Sequence, residues 1–331
     1  MKVAIIGSPD SGKDDLFLVL SEGKISKIGN ELVGVATVSD ERVEQLSNFF
    51  KPKKVTFVQV KFISPDFTQS LPIEELRTSD EIVYVVKCYP SSEGLDPVKI
   101  LADVDLSLKI NDIEIIENYI LKHRREPKSE KEISILERLK ESIEENKSIE
   151  DEEVLKDSIV KGLGLVSLKP RLVVLNISEN MIGSNFLEGD FRKNFPQYEF
   201  VTICVEIEKE MLSLNEEERI EMLKAYGISE RGLNLFIRSS YKLLNLITFF
   251  TVFGDEVKAW TLHKGLTSYD AAGKVHSDIQ RGFIKAEVIN YEEFSRLNFS
   301  FKDAKEKGLL RLEGKDYVVC DGDILYIRFH V

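Results

Sequence analysis

The sequence contains few cysteines and no long apolar run. Cys88, Cys204 and Cys320 are odd in number and widely spaced, which excludes a disulfide framework or a zinc-binding spacing and indicates a reducing cytosol. The longest apolar runs have the length of a strand, so we expect no membrane span and no membrane partner. A predicted strand begins at Lys2 and leaves no room for a secretory signal. We therefore expect a cytoplasmic protein.

Positive charge is also scarce. Lysine and arginine number 45 against 57 aspartates and glutamates, which gives a formal net charge of −12. Because nucleic acid backbones bind basic surfaces, this balance excludes a general nucleic-acid coat, and we expect no DNA partner. It leaves a local basic patch open. The length of 331 residues exceeds one ordinary core and predicts two or three domains.

A phosphate-binding motif lies near the start of the chain. The apolar run after Lys2 leads into a glycine, four residues and Gly-Lys, and a helix-like apolar spacing follows, which is the context that this motif requires. The candidate phosphate-binding residues are Gly7, Ser8, Pro9, Asp10, Ser11, Gly12, Lys13 and Asp14. Backbone N–H groups of such a loop surround phosphates, and Lys13 would contact the β- and γ-phosphates.

The motif departs from its pattern at the last position. A Ser or Thr hydroxyl that ligates Mg²⁺ should follow Lys13, and the chain has Asp14. Asp14 is a candidate magnesium ligand, since carboxylate oxygens suit this ion. Its charge would also repel a polyphosphate about 4 Å away by several kcal/mol at an effective dielectric near 20. Alternatively, Asp14 stabilises the helix N-terminus or neutralises Lys13 and closes an empty loop.

Apolar runs alternate with helical patterns along most of the chain. Strands are predicted at Val33–Val38, Val55–Ile63, Ile82–Cys88, Arg171–Asn176 and Glu199–Cys204. Helices are predicted at Asp40–Phe50 and Ser213–Tyr226, and Glu22–Gly29 is interpreted as a polar connection. Continuous apolar strands between helices favour an α/β fold with a mostly parallel sheet and helices on both faces.

Two further regions have a different hydrophobic pattern. Narrow apolar stripes on either side of Pro127 predict an inserted, coiled-coil-like helical hairpin. After Thr248 the chain is rich in short strands and ends in a predicted hairpin of Tyr317–Cys320 with Ile324–Phe329. We therefore predict a P-loop domain of residues 1–108 and 166–246, a helical hairpin of residues 109–165, and a C-terminal domain of residues 247–331.

Several segments resemble the YchF/Obg-like ATPases, P-loop proteins of the translation-factor GTPase class. The C-terminal segments TFFTVFGDEVKAW and GLLRLEGKDYVVCDGDILYIRFHV look like the TGS domain of that family, and LVSLKPRLVVLNISEN resembles the segment with its Asn-x-x-Glu base-recognition motif. The resemblance covers nearly the whole chain. It implies a Ras-like P-loop nucleotide-binding domain, an inserted helical hairpin and a C-terminal β-grasp (TGS) domain.

The resemblance also implies a base site. Asn176, Ile177 and Glu179 fall on the Asn-x-x-Glu motif, and Cys204, Val205 and Glu206 fall on the last base-contacting loop. GTPases have Asp at the fourth motif position, and the longer Glu is associated in this family with relaxed or adenine preference. The implied ligand is Mg-ATP or Mg-GTP. From the residues alone, an ordinary strand end with an Asn turn is the alternative.

The elements that assist hydrolysis are incomplete. No Asp-x-x-Gly follows Ile63, Asp66 could serve only after a shift in alignment, and the first switch is cut to about Glu22–Glu31. Because phosphoryl transfer relies on positioning and metal electrostatics, we assign no catalytic residue and predict weakened nucleotide binding with little or no hydrolysis. The alternatives are an active ATPase or GTPase with Asp14 as metal ligand, and a nucleotide-independent scaffold that binds a protein partner.

A basic cluster interrupts the acidic chain near the predicted tip of the hairpin. Lys122, Arg124 and Arg125 are candidate contacts for RNA phosphates, although exposed helix ends are often charged without a specific partner. The resemblance implies ribosome- or RNA-linked partners.

Overall fold

Strands and helices alternate along most of the chain. The computed structural model describes residues 1–28, 31–65, 71–89, 96–124, 130–145, 154–155, 157–183, 188–253 and 255–330. The strands are β1 (Lys2–Gly7), β2 (Ile25–Ile28), β3 (Glu31–Val38), β4 (Lys54–Thr56), β5 (Val58–Ser64), β6 (Glu81–Lys87), β7 (Arg171–Asn176), β8 (Glu199–Ile203), β9 (Leu246–Phe253), β10 (Glu256–His263), β11 (Phe283–Asn290), β12 (Arg311–Glu313) and β13 (Asp323–Phe329). The helices are α1 (Lys13–Leu20), α2 (Glu41–Phe50), α3 (Ile73–Arg77), α4 (Pro97–His123), α5 (Glu130–Glu144), α6 (Ser158–Leu163), α7 (Glu188–Asn194), α8 (Val205–Glu210), α9 (Glu216–Ala225), α10 (Gly232–Leu243), α11 (Ser268–Val275), α12 (Ser277–Arg281), α13 (Tyr291–Arg296) and α14 (Phe301–Glu306).

The chain divides into two units. The first contains Met1–Ala36 and Lys61–Ser240, and the second contains Thr37–Val60 and Tyr241–Val331. Thr37–Val60 therefore groups with the C-terminal region, whereas the sequence pattern predicts these residues in the P-loop domain. The reason is that α2 and β4 pack and pair with residues about 200 positions later in the chain. Local sequence patterns do not reveal such distant partners.

The first unit is built on a sheet with strand order β2-β3-β5-β1-β6-β7-β8. Strand β1 pairs in parallel with β5 and β6, and the parallel pairing continues from β6 through β7 to β8. Side chains of β6 and β7 are almost all buried, which is typical of a parallel sheet covered on both faces. The register places Gly7 opposite Val85, and Asn176 opposite both Lys87 and Ile203. The carboxyl ends of these strands therefore lie at one edge, where ligands of open α/β sheets bind.

Helix α4 belongs to two apolar clusters. Leu101 and Leu108 in its first part are buried in the core beside the sheet, and Ile116 further along is buried with Leu136 and Leu139 of α5. The helix is thus continuous across the predicted boundary at residue 109. Pro127, at the predicted hairpin turn, lies outside the described residues. Within the described parts of the chain, no helix combines the length and the apolarity needed to cross a membrane.

The second unit has a sheet with strand order β12-β11-β13-β9-β10-β4. On one side, Val43 and Leu46 of α2 are buried with Phe250 and Val257 of the sheet. Arg42, at the start of α2, adds an ion pair with Asp321 at 2.7 Å. These contacts explain why α2 belongs to this unit.

Three local predictions were wrong. The run Val55–Ile63 is divided between β4, which pairs with β10 of the second sheet, and β5, which pairs with β1 of the first. The predicted connection Glu22–Gly29 contains strand β2, whose four residues are all exposed and so give no burial pattern. Tyr317–Cys320 forms no hairpin with β13, and Val318 makes an isolated bridge to Thr267 instead. In each case either the pairing partner is distant in sequence or the strand itself has no apolar periodicity.

Candidate functional site

The phosphate loop leaves β1 through a short, tightly bonded turn. After Gly7, residues Pro9–Ser11 form one turn of 3₁₀ helix, and α1 starts at Lys13. Ser11 is fully buried, and its hydroxyl donates to the carbonyl oxygen of Ser8 at 2.7 Å. The same hydroxyl accepts the backbone N–H of Lys13 at 3.3 Å. The loop is therefore held by its own hydrogen bonds.

Gly12 is required by both its backbone and its surroundings. Its φ is +84°, a left-handed conformation that favours glycine. A Cβ atom at this position would lie 2.3 Å from the side-chain nitrogen of Asn176. That nitrogen, Nδ2, donates to the carbonyl oxygen of Ser11 at 2.9 Å, and Oδ1 accepts the backbone N–H of Val205 at 3.2 Å. Asn176 thus joins the phosphate loop to the loop after β8.

The lysine of the motif is already paired. Lys13 Nζ lies 2.6 Å from Asp14 Oδ1, and the exposed fractions of the two side chains are 13% and 64%. The next residue, Asp15, pairs with Lys209 of α8 at 2.6 Å. A phosphate group that approaches Lys13 meets an ammonium group whose charge is neutralised by its neighbour. This pairing agrees with one of the alternatives for Asp14, in which it neutralises Lys13.

The residues that would ligate magnesium in a P-loop protein differ in this chain. Position 14 has no hydroxyl, and the carboxylate that replaces it is engaged with Lys13. Strand β5 ends at Ser64, and Asp66, the displaced candidate for the second metal-binding element, lies outside the described residues. In the part of the chain that the structure describes, no three His, Cys, Asp or Glu side chains are grouped so that they could hold a metal ion.

The two predicted base loops lie together at the same edge of the sheet. The backbone N–H of Ile177 donates to the carbonyl oxygen of Ile203 at 3.0 Å, next to the contact between Asn176 and Val205. Asn176, Ile177, Cys204 and Val205 are buried. The buried environment of Cys204 raises the pKa of its thiol. Glu179 and Glu206 are exposed, so they are the members of the predicted set whose carboxylates face solvent.

Four residues at this edge were not identified from the sequence. Lys87 ends β6, and its ammonium nitrogen lies 4.8 Å from the ring centre of Tyr89. Burial raises the pKa of Tyr89, and the charges of Glu206, Asp15 and Asp10 raise it further. Lys87 and Tyr89 could have been identified from the sequence, because they lie at the end of a predicted strand. The other two residues are Lys209 and Tyr226, and no local pattern marks either of them.

The predicted basic cluster lies at the end of α4. Lys122 and Arg124 are exposed. The ring of His123 stacks on Tyr119 with centroids 4.3 Å apart. Arg125 lies outside the described residues. Two of the three candidate cations are therefore exposed to solvent. They lie at the C-terminal end of α4, a helix of 27 residues, and are more than 100 residues from the phosphate loop in sequence.

The parallel sheet, the glycine loop after β1 and helix α1 define an α/β protein of the P-loop class. The Ribosome-binding ATPase YchF of Haemophilus ducreyi is 32% identical over 361 residues, which cover 100% of this chain and 99% of that protein. The protein of the same name from Bacillus subtilis is 32% identical over an alignment of 366 residues, which covers 100% of this chain and 100% of that protein. The chain therefore belongs to the YchF family, as the sequence segments predicted.

Solved structures agree on the fold. The structure of the Schizosaccharomyces pombe YchF GTPase matches with a TM-score of 0.86 at 23% identity, over 99% of this chain and 97% of that chain. A GTP binding protein from Pyrococcus horikoshii matches with a TM-score of 0.67 at 19% identity and complete coverage of both chains. The family profile YchF-GTPase_C, described as a protein of unknown function (DUF933), matches residues 246–330. The α/β fold with a P-loop-like domain and a C-terminal domain is thereby confirmed.

Proposed function

We propose that this chain binds ATP or GTP weakly at the loop Gly7–Lys13, hydrolyses it slowly or not at all, and acts as a ribosome- or RNA-associated regulatory protein. Support for the class of ligand and partner comes from relatives that match over 99–100% of their length and are named ribosome-binding ATPases. Support for weak binding comes from the residues of this chain.

The ion pair between Lys13 and Asp14, 2.6 Å long, is the observation on which the proposal depends. In a P-loop the lysine contacts the β- and γ-phosphates. Here a phosphate must displace Asp14 and then tolerate its negative charge nearby. At about 4 Å, that repulsion is on the order of 1 kcal/mol in water and about 4 kcal/mol at an effective dielectric of 20. A loss of affinity of about fivefold or more follows, because about 1.4 kcal/mol corresponds to a factor of ten.

Slow hydrolysis follows from the residues that would position a metal and water. Phosphoryl transfer is accelerated mainly by positioning and by electrostatic stabilisation of the transferred group. The only lysine of the phosphate loop is shared with Asp14, and the P-loop hydroxyl is replaced by a carboxylate. These two changes weaken the contributions of the lysine and the hydroxyl, so the backbone N–H groups are what the loop retains for stabilising a phosphate.

Calorimetry and single-turnover kinetics test this proposal together. Titration with ATP and GTP, each with and without Mg²⁺, should give weak binding that Mg²⁺ improves little, and a single-turnover assay should show little product. Tight Mg²⁺-dependent binding with fast turnover would instead support the active enzyme in which Asp14 is a metal ligand. Absence of nucleotide binding together with a captured protein partner would support the nucleotide-independent scaffold.

Ribosome association is tested separately. The exposed cations Lys122 and Arg124 at the end of α4 support contact with RNA phosphates in a chain that is otherwise acidic. Co-sedimentation with ribosomes should decrease with added salt and should be weakened in K122E/R124E. The control K302E/R296E makes the same charge change on exposed residues of the second unit. Equal binding of both variants and wild type would contradict a role for the α4 cations.

A further inference from the structure

A cavity lies beside the carboxyl end of β8, the strand at one edge of the first sheet. Its volume is about 400 Å³, within the range of about 300–1,000 Å³ that is typical of small-molecule sites. Most of its lining is aliphatic and includes Leu175, Ile177, Met181, Ile203, Ile207 and Ile228. All of the described lining residues belong to the first unit. The cavity therefore offers an apolar interior of a size that suits a small molecule.

One wall of the cavity is held by close packing and by a buried carboxylate. Helix α10 begins at Gly232, where a Cβ atom would lie 2.8 Å from the side chain of Ile203, so the helix start packs closely on β8. The backbone N–H of Gly232 donates to Glu208 Oε1 at 2.6 Å, and Arg231 donates to Glu208 Oε2 at 3.1 Å. Because both oxygens of the buried Glu208 are engaged, this side chain fixes the wall of the cavity.

The charged side chains among the described lining residues are three carboxylates, those of Glu188, Glu208 and Glu230. Arg238 contacts both oxygens of Glu230, at 3.1 and 2.9 Å. Glu188 Oε1 accepts from Arg192 at 2.8 Å, but Glu188 Oε2 lies 3.5 Å from the hydroxyl oxygen of Thr202. That distance exceeds the length of an ordinary O–H···O hydrogen bond, about 2.5–3.0 Å. Glu188 Oε2 is therefore the carboxylate oxygen of this lining that can accept a hydrogen bond from a ligand.

We propose that this cavity binds a small amine with an apolar body, whose ammonium group donates to Glu188 Oε2. The aliphatic lining takes the body, and the polarisable sulfur of Met181 favours contact with an aromatic ring. A carboxylic acid of the same shape would bring its charge against the lining carboxylates. Within the part of the chain that the structure describes, neither the phosphate loop nor Asn176 lines this cavity. The site is thus distinct from the nucleotide site proposed above, and its test does not depend on nucleotide binding.

Cys204 reports where a ligand binds, because it belongs to the lining of the cavity. It is buried, as is Cys88, which is not among the described lining residues and serves as an internal reference. Alkylation of the native protein, followed by mass spectrometry of its peptides, gives the rate at each cysteine. A ligand in the cavity should slow the alkylation of Cys204 and leave that of Cys88 unchanged.

The experiment compares tryptamine, tryptophol and indole-3-acetate, which share an indole body and end in an ammonium, a hydroxyl and a carboxylate group. Ligand-observed NMR titration measures the Kd of each probe for wild type, E188Q and the control D190N, an exposed position two residues later on α7. In wild type, tryptamine should bind with a Kd on the order of 1 mM or below, tryptophol about fivefold more weakly, and indole-3-acetate more weakly still. E188Q should weaken tryptamine about fivefold and leave tryptophol within about twofold, and D190N should match wild type.

Three results would overturn the assignment. Equal affinity of wild type for the three probes would show that the cavity selects the apolar body alone and has no preference for an amine. An equal loss of tryptamine and tryptophol binding in E188Q would show that Glu188 only supports the wall. Absence of saturable tryptamine binding, or binding that leaves the alkylation of Cys204 unchanged, would reject the cavity as the site. The comparison of the three probes on wild type decides the preference for an amine without any variant.

Discussion

The side-chain amide of Asn176 donates a hydrogen bond to the carbonyl oxygen of Ser11 at 2.9 Å. Ser11 lies in the phosphate loop and Asn176 at the end of β7, 165 residues later. The same amide accepts the backbone N–H of Val205, so one buried side chain fixes the relative positions of three loops. Gly12 must lack a Cβ for this contact to form. The site is therefore organised around a polar contact within the protein, before any ligand enters.

Replacement of Asn176 by alanine tests this contact. N176A leaves the Ser11 carbonyl and the Val205 N–H without their partner, and the cost of such buried unsatisfied groups is about 1–3 kcal/mol. We expect the free energy of unfolding of the first unit to fall by about this amount. Urea denaturation followed by far-UV circular dichroism measures it, since the single tryptophan, Trp260, lies in the second unit. N234A, at an exposed position of α10, should change the value by less than about 0.5 kcal/mol. Equal effects of the two variants would show that the bridge is dispensable.

Removal of the Asp14 charge should release Lys13. D14N and D14S abolish the 2.6 Å ion pair, and D14S also restores the usual hydroxyl. We expect both variants to bind ADP about fivefold tighter or more, since about 1–4 kcal/mol of repulsion is removed. D15N makes the same charge change one residue later, where the partner is Lys209. Calorimetry should show a much smaller gain for D15N. Similar gains for D14N and D15N would attribute the effect to general charge and contradict a specific role for the pair.

Much of this architecture could be predicted from the sequence because the signals are local. The glycine loop follows a buried strand and precedes a helix within twenty residues, and Asp40 caps α2 as the pattern indicates, by accepting the N–H of Arg42. The loop Asn176–Glu179 could be located because it ends a continuous apolar strand. Each of these features depends on residues that are neighbours in the chain.

The contacts that modify the site could not be predicted in the same way. Lys209 reaches Asp15 across 194 residues, and Tyr226 reaches Glu179 across 47. Lys209 lies on a helix and Tyr226 directly after one. A polar residue is expected on the surface at such positions whether or not it has a partner, so the sequence does not reveal these contacts. The division of Val55–Ile63 between two sheets is similar, because a β-branched run shows that a strand forms without showing with which strand it pairs.

Glu81 should make the stability of the first unit depend on pH. Its side chain is fully buried at the start of β6, Oε1 accepts from Ser240 at 3.0 Å, and Oε2 has no hydrogen-bond partner among the described residues. Burial raises its pKa from 4.5 to about 8, and Asp80 adds to the rise although Ser240 opposes it. The folded state therefore holds this proton more tightly than the unfolded state. Stability is full below about pH 4.5 and falls as the pH rises towards 8.

The variant E81Q removes this titration and keeps an acceptor for Ser240. The slope from one proton is at most about 1.4 kcal/mol per pH unit. We expect the unfolding free energy of wild type minus that of E81Q to become more negative between pH 5 and 8, by a few kcal/mol in total. E221Q, which removes an exposed carboxylate of α9, should give a difference that is nearly independent of pH. A flat difference for E81Q as well would show that Glu81 is ionised in the folded protein throughout this range.

Asp105 and Arg171 form a buried ion pair between α4 and the start of β7. Asp105 accepts hydrogen bonds from Arg171 and Tyr198, and Lys109 lies 2.5 Å from its other oxygen. Burial raises the pKa of Asp105, but the charges of Arg171 and Lys109 outweigh it and hold the pKa below its usual value. The carboxylate is therefore ionised at neutral pH. Nε and Nη2 of Arg171 have no hydrogen-bond partner among the described residues, and Nη1 donates to Asp105 and to Tyr198, so Asp105 supplies the negative charge in these contacts.

Loss of the carboxylate should destabilise the first unit strongly. D105N leaves the charge of Arg171 buried without a counter-charge, which costs about 3–5 kcal/mol. D103N, an exposed aspartate two residues earlier on the same helix, should change stability by less than about 0.5 kcal/mol. In D105L/R171M both charges are absent, and an apolar pair of similar volume is often as stable as the ion pair, so we expect much of the loss to be recovered. Urea denaturation at pH 7 measures these three variants together with the single substitutions D105L and R171M. If the double variant were as unstable as the sum of its single substitutions, the two residues would not be energetically coupled.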